Sequence, residues 1–560
     1  MAIGWRPSSG RILLGVPAVA ASAIAIPAVA SAAGAWSADQ VDRSLLELRV
    51  VLATAALLLF GAGWLRRRRG VSEARGSARR VMLGLVAGAA IAANFNLFVW
   101  TGLHRHEFYH YYLGSKFFPE LGYFGLYVCS VQAVQDGGGA LPPDLAELTD
   151  LRSKERMPAS QVLASAPRCR DQFEPARWDA FRSDVARFRA WMGDGVWVGV
   201  LRDHGYNPSP AWTLFGRPLA SVVPPSPEGL WLLARIDLLL LLATFGALAW
   251  VFGFEAACLA AIAWGSCGHT RYQWTGDAFL RQLWLAAVLG GIALLAKGRA
   301  AAAGALLAIA TLERVFPGAF LLGIGLREVC HWLRARRVTP EFVRFVAGAG
   351  VAAVLVVAAA TAVAGRGVAV WREFAENTRG MLSFTPRNAL GLEYALSFTR
   401  VPPPEGLGET PTERQSIVQD YRRRTLASRR VWQVGALALF GSLLAVAAWR
   451  GAGRGPDGAP RLRAWEAAAM GCAIVPFATM PGSYYVGFVL AGAPLAIRWP
   501  RIGFALLLAC LGWSITLVAF GSRAIAFASS SWILLAYALW LLAELAFAQP
   551  RPAPDPLSRR

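Results

Sequence analysis

The chain alternates long apolar runs with short polar connections. Fourteen apolar segments can be drawn, at approximately 11–33, 45–65, 81–100, 230–252, 255–270, 283–297, 300–313, 317–333, 342–365, 431–449, 465–480, 484–498, 502–520 and 530–548. Runs near 20 apolar residues match the length an α-helix needs to cross a bilayer. The pattern predicts an all-α polytopic membrane protein. Several segments are too short to cross straight and are expected to be broken or partly re-entrant. Segment 11–36 has a basic start and "AVASA" near its end, as a cleaved signal peptide does. Its long apolar run, followed at once by a second, favours a retained first helix.

Basic residues orient the segments. "RRRRGVSEARGSARR" (66–80) holds seven Arg and one Glu and is expected in the cytoplasm. Counting from it, "KGR" (297–299), "RARR" (334–337), the loop 450–463, "RWPR" (498–501) and both termini fall on the same side. A single helix over 300–326 would separate "KGR" from "RARR". Two short segments around "ERVFP" (313–317) keep them together. One stretch breaks the rule: "YRRRTLASRR" (421–430) places five Arg beside a helix start on the outer side. Either the rule is weakly violated there or these Arg meet an anionic partner.

Composition sharpens the picture. Of 560 residues, 56% are hydrophobic, which excludes an ordinary soluble protein. The net charge of +21 is accounted for by cytoplasmic loops, so nucleic acid is not an expected partner. Three outer loops are left to carry chemistry: 101–229, large enough for a small domain, 268–282, and 366–430. No internal repeat is evident, which disfavours the common repeat-built transporter folds. Within the first loop Trp178, Phe181, Val185, Phe188 and Met192 recur at spacings of 3 and 4, one stripe of an amphipathic helix expected to pack in a core. Cys129 and Cys169 share that loop and can pair in an oxidising compartment. Cys258, Cys267, Cys330, Cys472 and Cys510 lie in or beside helices and read as core.

"HEFYH" (106–110) matches the zinc-protease pattern, in which two His bind metal and the Glu is the general base. That reading needs a third ligand; Asp203, His204, His269 and Asp277 are on the same side, and none sits in a third-ligand motif. "NPSPAW" (207–212) lacks the Asp-Gly that would follow in an intramembrane protease. There is no Walker motif and no Rossmann glycine fingerprint.

The stretch "HRHEFYHYYLGSKFFPELGYFGLY" (104–127) instead resembles the GT-C superfamily of membrane glycosyltransferases, which use polyprenyl-phosphate sugars. There an acidic residue follows an early helix at the start of the first large outer loop, with an aromatic-rich stretch after it. Glu107 stands where that residue is more often Asp, and two further helices precede the early helix that leads into it here. "WTGDAFLRQLW" (274–284), "ERVFP" (313–317), "FTPRNALGL" (384–392) and "MPGSYYVGF" (480–488) are similar, in order, to further outer elements of the superfamily. The likeness covers roughly 81–500.

The resemblance implies a GT-C-like bundle of about 12–14 transmembrane helices with a periplasmic insertion after the third helix. It divides the chain into N-terminal segments with a basic loop (1–80), the core (81–500) containing the loop domain 101–229, and C-terminal helices with a tail (501–560). It implies an inverting transferase of a bacterial inner membrane, active on the periplasmic face. The donor is a polyprenyl-phosphate sugar, the acceptor a glycan or lipid-linked molecule, and membrane lipids surround both.

Elementary chemistry gives the residues their roles. A carboxylate at the membrane edge can take the acceptor hydroxyl proton, and Glu107 is the candidate. The leaving phosphate needs fixed cations, and Arg matches phosphate geometry best; Arg281, Arg314 and Arg387 qualify. Arg314 lies within a hydrophobic hairpin, where charge is functional by default, with a structural pair to Glu313 as the other reading. Asp277 and Arg281, four apart, would face each other on a helix. His106, His110 and His204 can orient phosphate or acceptor, or hold a metal; no metal ligand is assigned, and a divalent ion is left open as cofactor. Asp203 and His204 are presented by a Gly- and Pro-rich loop, "RDHGYNPSPAW" (202–212). Asn388, Tyr484 and Tyr485 complete the substrate-binding candidates. Two other classes stay open: a transporter or flippase of lipid-linked sugars, which needs no base, and a membrane zinc metalloprotease using "HEFYH".

Overall fold

The computed structural model describes residues 38–69, 76–95, 103–383, 385–386, 388–399, 411–454 and 460–551. The expected segment 11–33 and the candidate Arg387 lie outside these residues. The principal helices are α1 (Ala38–Arg68), α2 (Gly76–Asn94), α3 (Pro175–Met192), α4 (Pro210–Val222), α5 (Pro227–Phe252), α6 (Phe254–Ser266), α7 (Leu283–Ala296) and α8 (Ala300–Glu313). They continue as α9 (Gly318–Ala335), α10 (Pro340–Ala364), α11 (Ala369–Leu382), α12 (Pro411–Ser428), α13 (Arg430–Gly451), α14 (Ala464–Met470), α15 (Pro500–Ala519) and α16 (Arg523–Phe547). One short antiparallel pair, β1 (Glu147–Thr149) with β2 (Arg156–Pro158), is the only sheet among the described residues.

Six of these helices, α1, α5, α10, α13, α15 and α16, are long and apolar enough to cross a membrane. α6, α7 and α8 are shorter apolar helices, as is Ser483–Leu495. The expectation of broken segments holds where it mattered. Residues 465–480 form α14 and two short turns, and Ser483–Ala491 is a 3-10 helix. Around "ERVFP" the chain does divide into α8 and α9: Arg314 leaves the helix with φ −138° and ψ 129°.

Helices approach closely where side chains vanish. A methyl group on Gly304 would lie 2.0 Å from the Phe345 carbonyl oxygen, and one on Gly348 would lie 2.0 Å from that of Ala301. Small residues of this kind let α8 and α10 meet backbone to backbone, the usual source of packing between membrane helices. α2 and α6 are tied by a buried cation. Arg49 of α1 donates to the Ala93 carbonyl at 2.9 Å and the Gly265 carbonyl at 3.2 Å, satisfying oxygens that helix ends leave open.

The inserted loop 103–229 folds around its own core. Trp178, Phe181, Val185, Phe188 and Met192 of α3 are all buried in it, as their spacing predicts. Cys129 and Cys169 form a disulfide. This core also takes in Phe279 and Val370, so all three expected outer loops meet at one end of the bundle. Three of the basic loops, around Arg334, Arg461 and Arg498, gather at the other end. The Arg334 guanidinium lies 4.1 Å from the Trp449 ring, and Arg498 pairs with Glu466 at 2.8 Å and donates to the Arg461 carbonyl.

Candidate functional site

The end of the bundle that carries the loop domain holds the candidate residues. Glu107 sits on a four-residue helix, Arg105–Phe108, that runs directly into a π-helical turn, Tyr109–Leu113. Such turns concentrate at functional sites. His104 caps the helix: its Nδ1 accepts from the Glu107 N–H at 3.2 Å, and its own N–H donates to the Asp277 carbonyl at 3.0 Å. Burial and the nearby Arg281 charge hold the His104 imidazole down to about 3, so it stays neutral and its Nδ1 stays an acceptor.

Glu107 is buried, and its carboxylate is held by the Arg281 guanidinium, with Nε donating to Oε1 at 2.9 Å. Arg281 is positioned from behind. Its backbone N–H and that of Gln282 donate to the two oxygens of Asp237, at 3.0 and 2.9 Å. Asp237 is a fully buried carboxylate in the middle of α5. This anchor was missed in the sequence, although a single acid in "LLARIDLLLLLATF" is the signal that an intramembrane charge normally gives.

The expected helical pairing of Asp277 with Arg281 is not what forms. Residues 277–281 bend sharply, with φ of +48° at Asp277 and +54° at Leu280. The bend satisfies the backbone on Asp237 and turns Arg281 to Glu107 instead. Asp277 keeps a buried side chain, which burial and the Asp237 charge push up to about 8.

Arg314 lies beside this pair. It donates to the Tyr111 hydroxyl at 3.3 Å, and its Nε is 3.4 Å from Glu313, so the structural partner weighed in the sequence is present. The two tyrosines of "GSYYVG" floor both cations. Arg281 lies 4.9 Å above the Tyr484 ring, and Arg314 lies 5.5 Å above the Tyr485 ring. Cation–π contacts of this kind hold a guanidinium without neutralising it. The tyrosines are themselves placed by the Asn388 segment: the Ser483 N–H donates to the Asn388 carbonyl at 2.6 Å, and Leu390 N–H to Pro481 at 2.9 Å. Asn388 thus acts here through its backbone. Tyr111 was not singled out in the sequence, where it is one aromatic among many.

The "RDHGYNPSPAW" loop closes the other flank. Ser209 donates to the Leu312 carbonyl at 2.5 Å, and Trp212 to that of Leu280 at 3.4 Å. Asp203 is partly buried, its side chain 44% exposed, with His110 Nδ1 3.9 Å away. His110 Nε2 hydrogen-bonds the Tyr127 hydroxyl at 2.7 Å. Burial, opposed by Asp203, lowers His110 to about 4. Burial would raise Asp203, but His110, His204 and His106 together leave it below the usual carboxylate range. His204 gives its carbonyl to Lys154 at 3.3 Å. His106 is half-buried beside Gly199. Among the described residues no three of His, Cys, Asp and Glu converge as a set that could hold a metal ion.

The site therefore joins Glu107, Arg281, Arg314, Tyr484 and Tyr485, which stand up to 378 positions apart. No protein-family model, curated protein or solved structure matches this chain. Its class follows from its own fold: an all-α, multi-pass membrane protein.

Proposed function

We propose that the chain is an integral-membrane glycosyltransferase that moves a sugar from a polyprenyl-phosphate donor to a periplasmic or lipid-linked hydroxyl acceptor. The observation that supports this reading is the meeting of a carboxylate, two guanidiniums and two tyrosine faces at one end of the bundle. In the step, the acceptor oxygen attacks the anomeric carbon and Glu107 takes its proton. The bond from that carbon to the phosphate oxygen breaks, and its electron pair leaves with the phosphate. The growing phosphate charge meets Arg281 and Arg314, fixed cations in a partly water-excluded site. Without donor, Arg281 rests on Glu107. The donor phosphate competes for that guanidinium and releases the carboxylate for its role as base. Asp203, His110 and His204 line the approach of the acceptor.

The test is sugar release from a panel of polyprenyl-phosphate sugars by purified wild type and Glu107→Gln, with metal content measured on the same samples. Turnover by wild type that the variant abolishes is expected. Equal turnover, or release blocked only by metal removal, would count against Glu107 as the base. Transport of lipid-linked sugar that survives Glu107→Gln but not Arg281→Gln would favour a flippase.

A further inference from the structure

The five Arg of "YRRRTLASRR" are not used by the site, and their place in the fold gives them a separate role. α9 starts four residues after Arg314, and Arg334 in its last turn touches Trp449 near the end of α13. The two helices therefore run the same way, and Arg430, which opens α13, lies at the end of the bundle that holds the site. α13 has 22 residues, about 33 Å of rise, so Arg430 and Arg450 stand a bilayer apart.

Two of the five Arg are committed to the protein. Arg429 donates to the Leu396 and Phe398 carbonyls at 3.0 and 2.6 Å, and Arg422 lies 5.0 Å over the Tyr394 ring. These contacts, with two hydrogen bonds between the Gln419 side chain and the Thr385 backbone, dock α12 onto the chain. Arg423, Arg424 and Arg430 then point outward as exposed residues. Only Asp420 offers a carboxylate anywhere between 420 and 451, and it takes Arg423. The next residues along α13 are apolar and exposed: Val431 at 82% and Trp432 at 74%. A span of α13 is only 17% buried inside the protein, so this helix face is turned to the membrane.

Guanidiniums beside exposed Trp and Val at a span's edge sit at headgroup depth, with the apolar residues against acyl chains. A folded protein partner would need apolar surface on both; a lipid meets the charges with its phosphate and the Val and Trp with its tail. The geometry points to a docking surface for anionic phospholipid headgroups, formed by Arg424 and Arg430 in the leaflet on the site's side, with Arg423 held beside them by Asp420. It resolves the anomaly in the charge rule: an excess of cations on this side is held by anions of the bilayer.

The test is binding of phosphatidylglycerol and of phosphatidylcholine with the same acyl chains to the purified full-length chain, read by native mass spectrometry. Arg424→Gln/Arg430→Gln should bind phosphatidylglycerol about thirtyfold more weakly, two near-surface charges at about 1 kcal/mol each. Phosphatidylcholine should be unaffected, and Arg424→Lys/Arg430→Lys should keep the tight binding. Should the Gln variant not fold, raising salt on wild type from about 0.1 to about 1 M must weaken phosphatidylglycerol selectively, as the screening length falls from about 10 to about 3 Å. Equal affinity for the two lipids, or no loss in a folded Gln variant, overturns the proposal. Polyprenyl monophosphate bound in place of phosphatidylglycerol, or a dimer that the Gln variant dissolves, overturns it equally. None of these outcomes depends on glycosyl transfer.

Discussion

Removing one partner of the Glu107–Arg281 pair leaves the other buried and charged. At the 2.9 Å separation of Nε and Oε1, and an effective dielectric near 20, the attraction is about 332/(20 × 2.9), or about 6 kcal/mol. Taking both ions out of water costs several kcal/mol each, so the intact pair contributes little net stability. Glu107→Gln or Arg281→Met strands the survivor and is expected to cost about 3–5 kcal/mol. The double variant removes both charges and should recover most of that loss, because neighbouring sites are not additive. Thermal unfolding followed by tryptophan fluorescence reads the stability; turnover of a polyprenyl-phosphate sugar reads the chemistry. If Glu107 is the base, turnover falls about 10²–10⁴-fold in both variants that lack it, including the re-stabilised double. Turnover that returns together with stability would make Glu107 a structural counter-ion and refute the assignment. Single variants that unfold with wild type would refute the pair itself.

Three further outcomes follow from the geometry. Asp237→Ala orphans two buried N–H groups and should cost roughly 2–6 kcal/mol at about 1–3 kcal/mol each; unfolding temperature should drop and turnover should fall with it, Asp237→Asn being milder in both. Cys129→Ser opens a loop of sequence separation 40, worth about 4 kcal/mol on chain-entropy grounds, and should expose the 103–229 domain to protease before the helices; equal protection would contradict it. The pH profile should be two-sided. His104 and His110 are depressed from 6.5 to about 3 and about 4, so their contribution is complete above 6.5 and is lost as pH falls through 4. Asp277 is raised from 3.8 to about 8, so its contribution is present in acid and is lost as pH rises through 8. His110→Gln should blunt the acid limb of an unfolding-temperature profile, and Asp277→Asn the alkaline limb.

Much of the fold was legible because bilayer-spanning helices must be predominantly apolar along their length. The ends of α5, α10, α13 and α15 fall within a few residues of their hydropathy runs. The break at "ERVFP" was legible for a different reason: charge sorting forbids a single crossing there, and Arg314 does leave the helix. The α3 stripe was readable from its 3.6-residue period. What no local pattern contains is partner choice. Arg281 and Asp277 satisfy the spacing of a helical pair. The bend at Asp277 and Leu280, stabilised by a carboxylate 44 positions away on α5, turns Arg281 to Glu107, 174 positions away. Asn388 was named as a substrate-binding candidate, and the fold uses its backbone carbonyl to set Tyr484 and Tyr485. Sequence alone thus determined where the long apolar helices lie, six of them long and apolar enough to cross a membrane, since that follows from transfer free energies summed over short windows. Only the tertiary structure decided which buried charges meet. A buried ion takes whichever counter-ion and backbone groups the packed helices bring within 3 Å, and that is a property of the whole bundle.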